Sequence, residues 1–507
     1  MGKNSGLPPK SVSYWIESTP KTLYPPLQTN LHVDVVVVGG GIAGITAAYL
    51  LKREGKTVAL LESGRIVQGV TGYTTAKITS QHHLIYHRLQ SSFGKEAAQL
   101  YGEANEAGLD LISSLIAKHK IDCDFRRKTS YVYGSTEAEL REIQKEAVVA
   151  AKLGLPARFV TRVDLPFATT GAVAFSHQAE FHPRKYLLAL ASKISGNGSH
   201  LFEETAVLGV RDGNPCAIKT KRATLSADHV ILATHFPFPD TAFYFTRMAP
   251  KRSYALGFRS GNRAPNGMFI NAGSPTRSIR AQSITEGELI ILVGEGHKTG
   301  QGGSEMERYR RLEEFARRYF NVTSIDYRWS TQDNIPHDGL PYIGKASHSS
   351  KHIYVATGFQ SWGMTNGTAA AMILCDLIVN RKNSWSVLFD PQRINPLTSA
   401  KKFIKENVNA VSCLIGDRLK HRIREDPKKL LPGEGAILRV NGKDRAYYKN
   451  EKGKIYQVSP VCTHIGCTVR FNDAEKTWDC PCHGSRFNYD GKVIHGPAAT
   501  DLKSYKN

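Results

Sequence analysis

The sequence predicts an α/β unit with an antiparallel-sheet subdomain, followed by a small all-β domain. Three observations carry this. A β-branched run, Val33 to Val38, leads into a Gly-rich turn, a helical segment and a second apolar run, which together make a βαβ unit. Short apolar runs between Tyr254 and Val293 have strand character with no helix between them. From about Leu431 onward the chain is short strands and turns. At 507 residues the chain has room for about two to four domains. Hydrophobic residues at 41% and charged residues at 22% exclude global disorder. No run of ~18 apolar residues predicts a membrane-spanning helix. Met1 to Lys10 has neither the apolar core of a secretory signal nor a twin-arginine pair. The expected compartment is therefore the cytoplasm.

Taken in order, residues 1–32 carry Pro8, Pro9, Pro20, Pro25 and Pro26 and read as an extended arm. Residues 33–390 follow as one large unit. Val33 to Val38 has the continuous apolar character of a strand buried on both faces. Ile42 to Lys52 has helical period, and Thr57 to Leu61 is a second buried strand. Glu96 to His119 and Glu137 to Lys152 are expected helices. Phe202 to Val210, Cys216 to Thr220, Ala223 to Leu225 and Asp228 to Ala233 read as strands. Tyr254 to Phe258, Met268 to Asn271 and Leu289 to Val293 suggest the antiparallel sheet. A helix, Glu305 to Phe320, precedes a strand, His352 to Ala356, a Gly-rich turn and a helix from Thr365 to Asn380. Residues 391–430 read as a linker, with one helix at about Ser399 to Arg418 and a basic run from Arg418 to Lys429. Residues 431–507 form the all-β domain, with strands at Ala436 to Val440, Arg445 to Tyr448 and Lys454 to Val458.

Lysine and arginine number 67 against 45 acidic residues, a net charge of +22. This balance favours nucleic acid, anionic lipid or an acidic protein, or it serves solubility alone. The linker's basic run is the natural point of peripheral contact with an acidic protein or anionic membrane. A solvated helix end is its plainer reading.

Gly39-Gly40-Gly41-Ile42-Ala43-Gly44 satisfies G-x-G-x-x-G between a strand and a helix. Gly39, Gly41 and Gly44 allow a tight turn whose N–H groups approach a pyrophosphate at the helix N-terminus. Glu62, 18 residues after Gly44, ends the second strand, where a carboxylate accepts from ribose hydroxyls. This predicts a dinucleotide site.

Eight cysteines are too few for a disulfide scaffold, but four fall within 21 residues. Cys462-Thr463-His464 and Cys480-Pro481-Cys482-His483 each offer a thiolate and an imidazole. Cys462, His464, Cys480 and His483 describe a [2Fe–2S] centre of the Rieske type, two thiolates on one iron and two imidazoles on the other. A zinc site is the competing reading of such boxes.

Two resemblances follow. Asp338-Gly339-Leu340-Pro341-Tyr342-Ile343-Gly344, Gly358 and the Gly363-Met364-Thr365 turn resemble the closing elements of the D-amino-acid-oxidase-like superfamily of FAD enzymes, over about residues 33–390. The resemblance implies a Rossmann-like FAD domain with an antiparallel-sheet substrate subdomain. It lays Thr74, Thr75 and Lys77 along the flavin, and makes Val230 to Thr234 the adenine-side strand, with His235 where glycine is common. Non-covalent FAD is expected, since no residue matches a covalent anchor. A helix opening near Met364 and Thr365 would turn its positive end toward the flavin ring. Residues 431–507 resemble Rieske domains. That resemblance pairs Cys467 with Cys482 in a disulfide, with two free thiols as the alternative, and makes Ser485 a donor to the cluster. Phe487 stands where high-potential members carry tyrosine.

The whole chain resembles bacterial FAD oxidoreductases fused to a Rieske domain. This implies oxidation of an amine or amino acid at a C–N bond by hydride transfer to FAD. Single electrons then pass to the [2Fe–2S] cluster and on to an acceptor protein or quinone. Tyr254, Arg259 and His297 are the candidate substrate contacts, Arg259 as a carboxylate clamp, with Lys77 and His177 as equal candidates. A Rieske oxygenase would need a second iron held by two His and one carboxylate. Neither His82, His83 and His87 nor His177 and His182 have a suitably placed acid. The alternatives are an electron-transfer or redox-sensing module reduced by a protein, and an RNA-directed flavoenzyme. Nucleic acid is not an expected partner.

Overall fold

A computed structural model of the chain describes residues 6–8, 11–240, 242–393, 408 and 426–505. The helix expected within the linker, and the basic run up to Arg424, lie outside the described residues; Lys428 and Lys429 end a short 3-10 turn, Pro427–Lys429.

Two sheets build the large unit. In the first, the β-branched run becomes Leu31–Val38, with Val58–Leu61 on one side and Thr224–Leu232 on the other, all parallel. His200–Phe202 extends one edge, while Ile353–Thr357 and Tyr342–Lys345 extend the other. Helices Ile42–Arg53 and Gly363–Ile378 bury their alanine- and glycine-rich faces against each other. Thr224–Leu232 unites the two strands expected at Ala223 to Leu225 and Asp228 to Ala233. The expected Phe202 to Val210 strand is instead interrupted after Phe202. There the buried Glu203 carboxylate accepts from Thr22 Oγ1, Arg65 and the Ile66 N–H, bonds that a continuous strand would not allow.

The second sheet is the antiparallel one, ordered Val322–Pro336, Met248–Ser260, Gly287–Lys298, Arg277–Ile284, Met268–Asn271, Arg126–Gly134, Gly171–Glu180 and Lys77–Ile78. Four of these strands, starting at Arg126, Gly171, Arg277 and Val322, are not evident in the sequence. They carry charged residues that the fold buries in pairs, such as Arg277 with Glu295 and Arg280 with Glu180. Helix Glu305–Tyr319 covers one face. The N-terminal arm is anchored by Trp15, whose indole donates to Thr74 O at 2.8 Å.

The C-terminal domain has a three-stranded sheet, Gly435–Val440, Lys443–Lys449 and Ile455–Val458, and a four-stranded one, Arg470–Asn472, Thr477–Asp479, Arg486–Asn488 and Val493–His495. Its second sheet faces the large unit. Arg252 pairs with Glu475, and Gln332 Nε2 donates to Gly484 O at 2.9 Å.

Candidate functional site

The first centre is a cavity of about 790 Å³ at the C-terminal ends of the parallel strands. Open α/β sheets bind ligands there. Gly39 has φ +113°, and a Cβ on Gly44 would lie 1.9 Å from Gly39 O. Only glycine lets the helix start this close to the strand, and the turn at residues 39–41 lines the cavity, with the Gly39 N–H donating to Leu61 O at 2.8 Å. Glu62 Oε2 accepts from the Gly40 N–H at 2.8 Å, placing the carboxylate at the cavity edge. The helix Gly363–Ile378 has no side-chain cap. Gly363 and Met364 line the cavity, so its unsatisfied N–H groups open onto it.

Gly39, Gly41, Glu62, Thr74, Thr75, Gly363 and Met364 are on the cavity wall. Gly44, Lys77, Gly358 and Thr365 lie behind it. Thr365 Oγ1 donates to Thr79 O at 2.9 Å, and a Cβ on Gly358 would meet Pro336. Lys77 Nζ donates to Phe269 O and Ser278 Oγ, and burial pushes its ammonium down to about 7. Sequence reasoning missed the wall formed by residues 205–208, 235–236, Thr331 and Asp333. Only His235, where a glycine is common, was a signal.

The three candidate substrate contacts do not line the cavity. Ser253 and Ala255 do, so alternation along their strand turns Tyr254 to the opposite face. On the neighbouring strand Val293 lines the cavity, but Glu295 is a bulge with φ +55°. The extra residue reverses the alternation and sends His297 to the side of Tyr254. His297 Nδ1 donates to Gln301 O at 2.6 Å, so its Nε2 accepts from Tyr254 OH at 2.9 Å. Burial pushes this imidazole down to about 4. Arg259 lies four residues beyond Ala255, ~13 Å along the strand. Its Nε donates to Asp326 at 2.8 Å. The histidines His82, His83 and His87 have separate partners, Tyr101, Asn271 O and Glu146. His182 caps a helix, and His177 lies outside the cavity wall.

The second centre lies at the tip of the C-terminal domain. Cys462 and Cys480 are buried free thiols, while Cys467 and Cys482 form a disulfide that joins the two boxes. His464 Nδ1 and His483 Nδ1 are buried with no hydrogen-bond partner, and the rings are 5.2 Å apart. Burial pushes His483 down to about 3 and lowers His464, keeping both neutral as ligands must be. Two thiols that hydrogen-bond each other and two orphaned imidazole nitrogens on neighbouring rings suit the Rieske cluster. Ser485 hydrogen-bonds Cys462. Phe245, from the large unit, packs its ring 5.2 Å from His464 and 5.0 Å from His483.

Beside this centre, Arg252, Glu475, Arg486 and Asp479 form a buried network between the domains. Burial alone would raise the Glu475 carboxyl, but Arg252 and Arg486 hold it below the usual carboxylate range. Asp479 is held down in the same way.

Comparison with known proteins matches residues 34–377 to the FAD dependent oxidoreductase family and residues 424–506 to the Rieske [2Fe-2S] domain. A Bacillus subtilis (strain 168) protein described as a Rieske 2Fe-2S iron-sulfur protein, YhfW, is 37% identical over 97% of both chains. Gamma-glutamylputrescine oxidoreductase of Escherichia coli K12 is 26% identical over 72% of this chain and 88% of its own. Glycine oxidase from Geobacillus kaustophilus superposes with a TM-score of 0.62 at 18% identity, covering 72% of this chain and 99% of that one.

Proposed function

The chain belongs to the FAD-dependent oxidoreductase family and carries a Rieske [2Fe–2S] domain, and on that premise we propose that it dehydrogenates an amine or amino acid. The C–H bond next to a neutral amine nitrogen would break, with hydride leaving to FAD and the substrate becoming an iminium ion, which gives the imine on loss of a proton to water. The electrons would then pass singly to the cluster and to a one-electron acceptor, a protein or a quinone. FAD supplies a two-electron acceptor and the cluster a one-electron carrier. The substrate class is supported by relatives whose names include glycine oxidase and gamma-glutamylputrescine oxidoreductase.

The observation that carries the route is the docking of the cluster end onto the flavin unit. Both histidine ligands lie against Phe245, and Glu475 is buried beside Arg252. The chain's own groups have distinct tasks. The glycine turn at residues 39–41 and the N-terminus of the helix it opens would lie against the pyrophosphate, and Glu62 would take the ribose. The open helix end at Gly363 and Met364 favours negative charge on the adjacent ring. Substrate would approach the inner sheet face, where Asp333, whose carboxyl accepts from the Ser361 N–H at 3.1 Å and Oγ at 2.7 Å, lines the cavity.

An anaerobic panel of amines and amino acids, read by absorbance and low-temperature EPR, tests this. Flavin bleaching with a Rieske-type signal is expected from one chemical class. A signal produced only by chemical reductants would move the reading to an electron-transfer module reduced by a protein partner.

A further inference from the structure

The cavity is not built from the FAD-oxidoreductase unit alone. Its wall includes residues 493–500, which belong to the Rieske domain. We propose that the FAD site is composite, with this loop as one of its walls and His495 as the residue that seats it. The proposal rests on the FAD reading and deepens it.

Three contacts support a built wall. The first is across the boundary. His495 Nδ1 lies 2.8 Å from Gly496 O, which can only accept, and 3.3 Å from Gln332 Nε2, which can only donate, and the shorter contact puts the proton on Nδ1. Its Nε2 then accepts from His235 Nδ1 at 2.9 Å. Both rings line the cavity, and burial keeps both neutral. His235 is itself fixed, since its carbonyl accepts from Thr357 Oγ1 at 2.6 Å and Asn334 Nδ2 at 3.1 Å.

The second and third contacts run the other way, toward the cluster. The Ala498 N–H donates to Ser485 Oγ at 2.9 Å, and Ser485 touches Cys462. Thr463, next to His464, donates its hydroxyl to Thr500 O. One short loop therefore faces the cavity on one side and ties both cluster boxes on the other. Ala498 belongs to both, so a single residue separates the cavity from the Ser485 side chain. A ligand held by both domains must stabilise their docking, and docking must in turn tighten the ligand, because the coupling is reciprocal.

The test uses full-length protein stripped of FAD and titrated with FAD, followed by flavin fluorescence, with cluster EPR on the same samples. Ala499 is exposed on the cavity rim, so Ala499→Trp places bulk in the cleft without disturbing a core. Its FAD dissociation constant is expected to rise at least tenfold while the Rieske signal persists. Lys443→Trp, on an exposed hairpin of the same domain, should match the unmodified protein. His495→Ala should weaken FAD, and His495→Gln, whose amide oxygen can accept from His235, should recover part of the loss. FAD binding by Ala499→Trp and His495→Ala equal to the unmodified protein would overturn the composite site. Failure of the unmodified protein and Lys443→Trp to bind FAD at all would overturn the FAD reading on which it rests.

Discussion

Arg252 of the large antiparallel sheet, fully buried, and Glu475 of the Rieske domain, largely buried, form an ion pair. Glu475 also accepts from Ser330 and from Arg486, so one carboxylate holds two domains and the strand that follows Ser485. Removing one partner of such a network leaves a buried charge uncompensated, at about 3–5 kcal/mol. Glu475→Ala should lower the unfolding free energy of the Rieske domain by that order and so move its urea midpoint down, as read by loss of the cluster signal. An unchanged midpoint would mean the docking does not depend on this pair.

Acid should loosen the same interface. Glu475 and Asp479 have depressed folded-state values, so their contribution is present above the ordinary carboxylate pKa, about 4. It is lost as pH falls through the depressed values. Protease susceptibility of the domain junction should therefore rise below about pH 4 and stay flat from there to neutrality.

Lys77 gives the opposite kind of pH dependence. Its folded value is about 7, well below that of an unfolded lysine. Between the two values the unfolded chain binds more protons, so stability rises with pH across that window. The stability of the native protein relative to Lys77→Met should increase from pH 7 toward 10. A pH-independent difference in urea midpoints would contradict the burial argument.

The Cys467–Cys482 bridge closes a loop of 15 residues. A loop that short contributes about 3 kcal/mol by restricting the unfolded chain. The Cys467→Ser, Cys482→Ser pair should lose the cluster at lower urea, while Cys462→Ser should lose the Rieske signal outright and keep FAD. Retention of the signal by Cys462→Ser would remove that residue from the ligand set.

Phe487 is fully buried beside Trp478 and lacks the hydroxyl that a tyrosine would offer. One added hydrogen bond is worth about 1 kcal/mol, or roughly 40 mV in a one-electron couple. Phe487→Tyr should raise the cluster potential by that order. An unchanged or lower potential would show that the hydroxyl does not reach the cluster.

Both cofactor motifs were legible in the sequence because their geometry is local. Gly39 to Gly44 and the two Cys/His boxes need only a turn and a few bonds, and their spacing encodes both. The strands Arg277–Ile284 and Val322–Pro336 were hidden because their arginines, glutamines and aspartates have no apolar period. Their burial depends on partners elsewhere, such as Glu295 and Glu475.

By itself, the sequence determined that this chain pairs a dinucleotide cradle with a Cys/His cluster site. Which residues face the cavity was decided only in three dimensions. A single bulge at Glu295 turns His297 away, and the strand pleat turns Tyr254 with it. The closing of the cavity by His495 was likewise out of reach, since it joins residues 260 positions apart. Side-chain direction in a sheet reverses with one inserted residue, and contacts between domains have no sequence period, so both belong to the tertiary fold.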